Sequence, residues 1–317
     1  MGTEADIERA ARILNEGGIV AFPTETVYGL GASIAHPEAV ARIFEAKERP
    51  FFDPLIVHLG SVGSLDRVAR IPERSKEAFD SLTQAFWPGP LTLLLPKRDG
   101  VPDLVTSGLP TVGVRVPAHS LARRLLSIVH APVCAPSANR FGRLSPTLAD
   151  HVARDLGTRV DFILDGGPCE VGVESTIVTL AEDEPKILRP GGVSREDIER
   201  VLGKSIEVRA DSSEQIQAPG QLASHYAPRT PLRILRPGES SQARGRIGLL
   251  AWSKPRTGYE ACEVLSTAGD LREAATRLFA ALHTLDRMGL DLIEVEPVPE
   301  RGLGLAIMNR LRKASHG

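Results

Sequence analysis

Apolar residues recur along this chain in two rhythms, and the switching between them predicts a mixed α/β protein. Ile7, Ala10, Ala11 and Leu14 fall on one stripe of a helix over residues 7–14, which Gly17-Gly18 ends. The unbroken apolar run 19–22 predicts a buried strand. Pro37 opens a second helix that turns Val40, Ile43 and Phe44 inward and carries Lys47 and Arg49 at its end. Residues 54–59 predict a strand ending near His58, 73–85 a helix, and Trp87-Pro88-Gly89-Pro90 a turn. Strands are expected at 91–95, 111–116, 131–135, 162–164, 175–180 and 186–188. Helices are expected at 121–129, from Pro146-Thr147 onward, and at 194–202 with Ser194 as cap. Several neighbouring strands lack a crossover helix between them. A mixed, twisted sheet flanked by helices fits that order better than a strict doubly wound sheet.

The rhythm breaks at residues 207–217, a polar stretch centred on Asp211-Ser212-Ser213-Glu214-Gln215 that has linker composition. Beyond it, strands at 232–235, 247–251 and 292–295 and a long helix at 271–285 predict a smaller, Rossmann-like α/β domain. The expected organisation is therefore a catalytic domain over 1–206, a linker over 207–230 and a C-terminal domain over 231–317. A length of 317 residues suits two domains.

Composition narrows the class. Hydrophobic content of 42% and charged content of 25% are those of a soluble globular protein. The net charge of −2 lacks the basic excess of a protein that holds RNA by phosphate contacts alone, although a local basic pocket stays open. Cys134, Cys169 and Cys262 are odd in number and far apart, which indicates neither a zinc site nor a disulfide framework and points to a reducing cytosol. The acidic start has no basic segment followed by an apolar run, so no signal peptide is expected. No apolar run approaches the ~20 residues that span a bilayer.

Polar clusters interrupt the apolar pattern at the places where chemistry would sit. The run from Gly18 to Ala32 delivers Thr24, Glu25 and Thr26 after Pro23 and ends on Gly29 and Gly31. Its hydroxyls read equally as a small-ligand loop or as a turn that caps its own backbone. Lys47 and Arg49 read as a phosphate clamp or as cations placed at a helix C-terminus. Ser137 and Asn139 suit nucleotide hydrogen bonding or a helix N-cap. Arg115 interrupts an apolar strand, where it either grips a carboxylate or faces water. His58 has no metal-ligand partner at useful spacing. Arg189 ends a strand, a weak phosphate signal. No P-loop, dinucleotide fingerprint or nucleophile elbow occurs.

Taken together, these pieces resemble the YrdC-type threonylcarbamoyl-AMP synthases in their long form. The stretches Pro23–Ala32, Lys47–Pro50 with Pro54-Leu55, Ala135–Asn139 with Ser145-Pro146-Thr147, Glu174–Val178 and Leu188–Gly191 stand in family order. His225-Tyr226-Ala227-Pro228 and residues 302–310 resemble the long form's second half. The resemblance implies a YrdC-like fold and the reaction of L-threonine, bicarbonate (or CO2) and ATP to threonylcarbamoyl-AMP and pyrophosphate. It implies that the product serves N6-threonylcarbamoyladenosine formation in tRNA, with transient contact to the transfer machinery, weak tRNA binding and no membrane. Such a reaction needs positioning and charge stabilisation rather than an enzyme nucleophile.

Carried over position by position, the family pattern places threonine at Thr26, His58, Arg115, Ala135 and Ser175. It places ATP at Arg49, Asp53, Thr111, Ser137, Asn139, Ser145, Arg189 and Tyr226, with Lys47 and Arg49 as catalytic cations. Mg2+ would bridge the phosphates, held mainly by ligand and water. Tyr226 would reach in from the linker as part of a lid. The chain departs from the pattern at Asp53, where asparagine is usual, at Glu48, where glycine is common, and at Thr179, where aspartate is common. It departs again at Gln221–Ser224, where basic residues often precede His-Tyr-Ala-Pro. Two rivals remain: an RNA-binding module without adenylating activity, disfavoured by 4% aromatic content, and an enzyme of carbamoyl phosphate, which lacks its usual zinc-finger cysteines here.

Overall fold

The computed structural model describes residues 2–210, 216–222, 224–239 and 243–316. The Asp211–Gln215 centre of the expected linker lies outside them. The first sheet is built from β1 (Val20–Phe22), β2 (Gly29–Ser33), β3 (Ile56–His58), β4 (Leu91–Pro96), β5 (Thr111–Arg115), β6 (Val133–Cys134), β7 (Phe162–Ile163), β8 (Thr176–Thr179), β9 (Lys186–Arg189) and β10 (Glu207–Val208). Across the sheet they run β10-β9-β8-β4-β5-β3-β6-β2-β1-β7. Parallel pairs such as β4 with β8 and β3 with β5 sit among antiparallel ones such as β4 with β5 and β1 with β2. The sheet is mixed, as the missing crossover helices predict.

The helices α1 (Glu4–Asn15), α2 (Pro37–Lys47), α3 (Lys76–Phe86), α4 (Asp103–Thr106), α5 (Ser120–Ile128), α6 (Ala149–Leu156) and α7 (Arg195–Leu202) accompany this sheet. A capping box between Thr3 and Asp6 starts α1, whose Ile7 and Leu14 pack with Leu125 of α5. Ile43 and Phe44 of α2 join the main core with Leu30, Val57 and Val114. The helix expected from Pro146 begins at Ala149 instead. The carbonyls of Pro146 and Thr147 accept from the amides of Tyr28 and Cys169, so this segment is bonded to its neighbours rather than wound into a turn.

The second sheet holds β11 (Leu232–Ile234), β12 (Ile247–Ala251), β13 (Ala261–Val264) and β14 (Leu292–Val295), in the order β11-β14-β12-β13. All its pairs are parallel. With α8 (Leu271–Asp286) as a crossover and α9 (Gly304–Ala314) at the end, it is the expected small α/β domain. Its core gathers Phe279, Leu282, Ile293, Ile307 and Leu311, and it also takes in Tyr226 from the connecting segment and Leu144 and Val173 from the first domain. The two halves thus share one apolar cluster. Among the described residues, no helix is long and apolar enough to cross a membrane.

Candidate active site

The cavity of interest opens where β1 hands the chain to β2, and the sequence explains its shape. Pro23 ends β1, and the next residues curl into a hydroxyl turn. Thr24 Oγ1 donates to the carbonyl of Val27 at 2.7 Å and accepts from the amide of Thr26 at 3.2 Å. Thr24 is therefore the cap of its own turn, while Thr26 faces Arg115, whose Nη1 donates to Thr26 Oγ1 at 2.9 Å. The following glycines lie within β2 and not in a loop. At Gly31 an added Cβ would stand 2.7 Å from the Phe22 ring and 2.8 Å from Val133, so this glycine allows two strands' side chains to close over it.

Arg115 is buried, at 3% exposure, and its burial is compensated. Its Nη2 lies 2.6 Å from Glu25 Oε1, and its Nε donates to the carbonyl of Gly89 at 3.2 Å. The wet-face alternative for this strand arginine is thereby removed. Beside it, His58 Nδ1 lies 3.1 Å from the carbonyl of Ile56. Burial, reinforced by the Arg115 charge, pushes the His58 imidazole down to about 3, so the ring is neutral at physiological pH.

The cation cluster sits on the far side. Lys47 ends α2 and points its ammonium at the carbonyls of Ser137, at 2.5 Å, and Asn139. Burial, then the neighbouring Arg49, lowers its pKa well below the ordinary lysine value. Arg49 donates to the carbonyls of Asp53 and Pro54 at 3.1 and 2.9 Å and ion-pairs with the Asp53 carboxylate at 2.9 Å. Glu48 between them closes α2 in the left-handed region, with φ 54°, which is why glycine suits this position. Its carboxylate turns outward to Arg140 and Arg159 at 2.6 and 2.7 Å and stays off the cavity. Asp53 is fully buried; desolvation raises its pKa despite Arg49, and neither carboxylate oxygen has an aligned hydrogen-bond donor.

On the third side, Arg189 donates from Nε and Nη2 to the carbonyl of Ser175 at 3.2 and 2.9 Å and from Nη1 to the carbonyl of Pro219 at 3.3 Å. Ser175 shares a hydroxyl contact of 2.8 Å with Thr92. The connecting segment closes the space: Pro219, Gly220, His225 and Tyr226 all line it. What remains is a cavity of about 50 Å3, room for a few waters and far too little for a nucleotide.

Of the residues singled out from sequence, Thr26, Arg49, His58, Arg115, Ala135, Ser137, Ser175, Arg189 and Tyr226 meet on this wall. Lys47, Asp53, Asn139 and Ser145 stand behind it. Asn139 Nδ2 donates to the carbonyls of Arg140 and Arg143 and so fixes the loop that carries Ser137. Ser145 donates to Glu174. Thr111 lies apart, in a neighbouring crevice with Pro54, Thr92 and Pro219. Sequence reasoning missed Glu25 as the partner of Arg115, and Glu174 and His225 as wall residues. A carboxylate two residues ahead of a buried strand, as Glu174 stands ahead of β8, is the signal that could have found one of them.

Residues 12–191 match a family model described as "Telomere recombination", and residues 193–316 match one described as "Threonylcarbamoyl-AMP synthase, C-terminal domain". The chain is 45% identical to the threonylcarbamoyl-AMP synthase of Pyrococcus abyssi, over 98% of this chain and 94% of that protein. It is 43% identical to the Bacillus subtilis enzyme of the same name, over 99% and 94%. This chain belongs to the threonylcarbamoyl-AMP synthase family.

The solved structure of P. abyssi Sua5 complexed with L-threonine superimposes with a TM-score of 0.89 at 42% identity, covering 99% of this chain and 95% of that one. E. coli YciO matches with a TM-score of 0.52 at 23% identity over 60% of this chain and 90% of its own, a likeness of fold alone. Membership in the threonylcarbamoyl-AMP synthase family disfavours the RNA-binding module: the full-length relatives carry the name of an enzyme.

Proposed function

We propose that this chain forms threonylcarbamoyl-AMP and pyrophosphate from L-threonine, bicarbonate or CO2, and ATP, for threonylcarbamoyladenosine formation in tRNA. The observation that carries the reading is the wall itself: Arg49, Arg115 and Arg189 converge with Thr26, Ser137 and Ser175 on one cavity inside a fold shared with threonine-bound Sua5. Such a wall suits a substrate that carries a carboxylate, a hydroxyl and phosphates.

In this reading Arg115 receives the threonine carboxylate while Thr26 and Ser175 face its hydroxyl and amine. The neutral amine adds to CO2 and releases a proton to water, the carbamate oxygen attacks the α-phosphorus, and the bond to the α–β bridging oxygen breaks so that pyrophosphate leaves. Arg49 and Arg189 stand where phosphate charge would gather, and Ser137 and Asn139 shape the loop against the nucleotide. The neutral His58 bounds the threonine side without adding charge. Catalysis is then positioning and charge stabilisation in a water-poor site. Among the described residues, no three carboxylate, imidazole or thiol side chains form a metal-binding group. The one carboxylate on the wall among the described residues, Glu174, is bound to Arg310 and Ser145. These residues fit a Mg2+ that arrives on ATP phosphates and water, where it would neutralise phosphate charge.

Since the cavity is too small for ATP with the connecting segment in place, that segment acts as a lid and lifts to admit the nucleotide. The product passes to a tRNA threonylcarbamoyl-transfer machinery in the cytosol, with at most weak direct tRNA contact. The test is pyrophosphate release from ATP and Mg2+ with L-threonine and bicarbonate supplied together or singly. Release that requires both is expected; release with neither, or none at all, would reject the assignment.

A further inference from the structure

We infer that Arg310, supplied by the last helix of the second domain, is a positioning residue of the active site, setting Glu174 and Tyr226 so that docking of the C-terminal domain controls closure over ATP. This rests on the reading above that ATP enters the cavity. Arg310 is 1% exposed, and a guanidinium held that deep is costly unless paired. Its Nε donates to Glu174 Oε2 at 2.7 Å and its Nη1 to Asn309 Oδ1 at 2.7 Å. The other Glu174 oxygen accepts from Ser145. The carboxylate is thus oriented from both sides at the point where it lines the cavity. Burial alone would push Glu174 up, but Arg310 and then Arg189 hold it below the ordinary glutamate value. It therefore stays an anion at the wall.

The same guanidinium lies over the Tyr226 ring, 4.9 Å from its centroid. Tyr226 has φ 64°, a conformation that a bulky residue keeps only where its surroundings over-determine it. The second domain supplies part of those surroundings, with Arg310 across the ring face and Phe279 at 5.9 Å, beside His225 of the same segment at 4.1 Å. Two further ties run from α9 to the connecting segment. Lys313 Nζ donates to the carbonyl of Leu222 at 2.8 Å, and the carbonyl of Lys313 accepts from the amide of His225 at 3.3 Å. One face of α9 thus grips the segment just ahead of the tyrosine, at Leu222 and His225. Apolar residues of similar volume are often as good as a buried ion pair for stability. A charge at this position is accounted for by the orientation of Glu174 rather than by packing.

The test compares Arg310→Lys, which keeps the charge, Arg310→Met, which keeps much of the volume, and Glu174→Gln. Steady-state pyrophosphate release gives KM for ATP; calorimetry gives Kd for L-threonine; hydrogen exchange follows the amides of 216–228 without any turnover. Arg310→Met is expected to raise the ATP KM about tenfold, the loss of one charged hydrogen bond, to speed exchange in 216–228, and to leave threonine affinity nearly unchanged. Arg310→Lys should recover part of both effects. Glu174→Gln combined with Arg310→Met should be no worse than Arg310→Met alone. Recovery by methionine equal to or better than by lysine, additive effects in the double variant, or faster exchange with an unchanged ATP KM would each overturn the inference. Should the unmodified protein release no pyrophosphate, the assigned activity fails by itself; exchange and ATP affinity measured by calorimetry still decide the role of Arg310.

Discussion

The pairing of Arg115 with Glu25 separates a residue's part in folding from its part in binding. Replacing Arg115 by methionine would leave the Glu25 carboxylate alone at 5% side-chain exposure. Stranding one member of a buried pair costs about 3–5 kcal/mol, a large share of the roughly 5–15 kcal/mol that holds a domain folded. The double variant, Arg115→Met with Glu25→Gln, removes the stranded charge, and the glutamine carbonyl can still accept from the amide of Ala118, as Glu25 Oε2 does at 3.1 Å. Most of the stability should return. Threonine binding should not return, because the charged bonds to its carboxylate are gone. At about 1.5–3 kcal/mol for a charge-assisted bond, Kd for L-threonine should rise roughly 10- to 150-fold. Urea unfolding of both variants, with calorimetric titration of threonine into the double variant, makes the comparison. A double variant that binds threonine like the unmodified protein would refute the carboxylate grip. A single variant as stable as the unmodified protein would refute the desolvated pair.

Other perturbations probe the remaining parts of the site. Tyr226→Ala should weaken ATP retention, and Gly220→Ala should do the same, since that glycine has φ 82° and an added Cβ would stand 2.5 Å from the Tyr226 hydroxyl; unchanged ATP dissociation in both would remove the lid. Asp53→Asn should retain activity but lose stability at neutral pH, because it leaves the buried Arg49, 2.9 Å from the carboxylate, without its counter-charge; an inactive variant would show that the carboxylate contacts substrate or metal. His58 titrates at 6.5 when unfolded and at about 3 when folded, so the unfolded chain binds the extra proton between those values and stability falls as pH drops through that window. From pH 7 to 5 this histidine alone should cost about 2 kcal/mol; His58→Gln should fall by that much less on acidification, and parallel curves would show that the ring is not desolvated.

Local pattern carried the sequence reading a long way. The strand 247–251 and the helix opened by Pro37 lie where their periodicity and breaker residues put them. Motifs adjacent in sequence, such as Thr24–Thr26 and Ser137–Asn139, lie in loops that reach the cavity because a strand end delivers its neighbours together. The two glycines have different parts: Gly29 lines the cavity, while Gly31 admits the close approach of Phe22 and Val133. Helix α9 was missed as an element, although residues 302–310 stood out as a motif without a role.

The chain's own order therefore determined most of its elements, its mixed α/β class and its family, all of which depend on periodicity and on short segments read in place. Tertiary structure alone decided which charges face each other. Arg49 with Asp53 is local, but Arg115 with Glu25 and Arg310 with Glu174 join residues brought together by the sheet order and by docking of the second domain. A buried charge requires a partner wherever the fold can supply one. Sequence shows that such a charge exists, and only the packed structure shows which residue neutralises it.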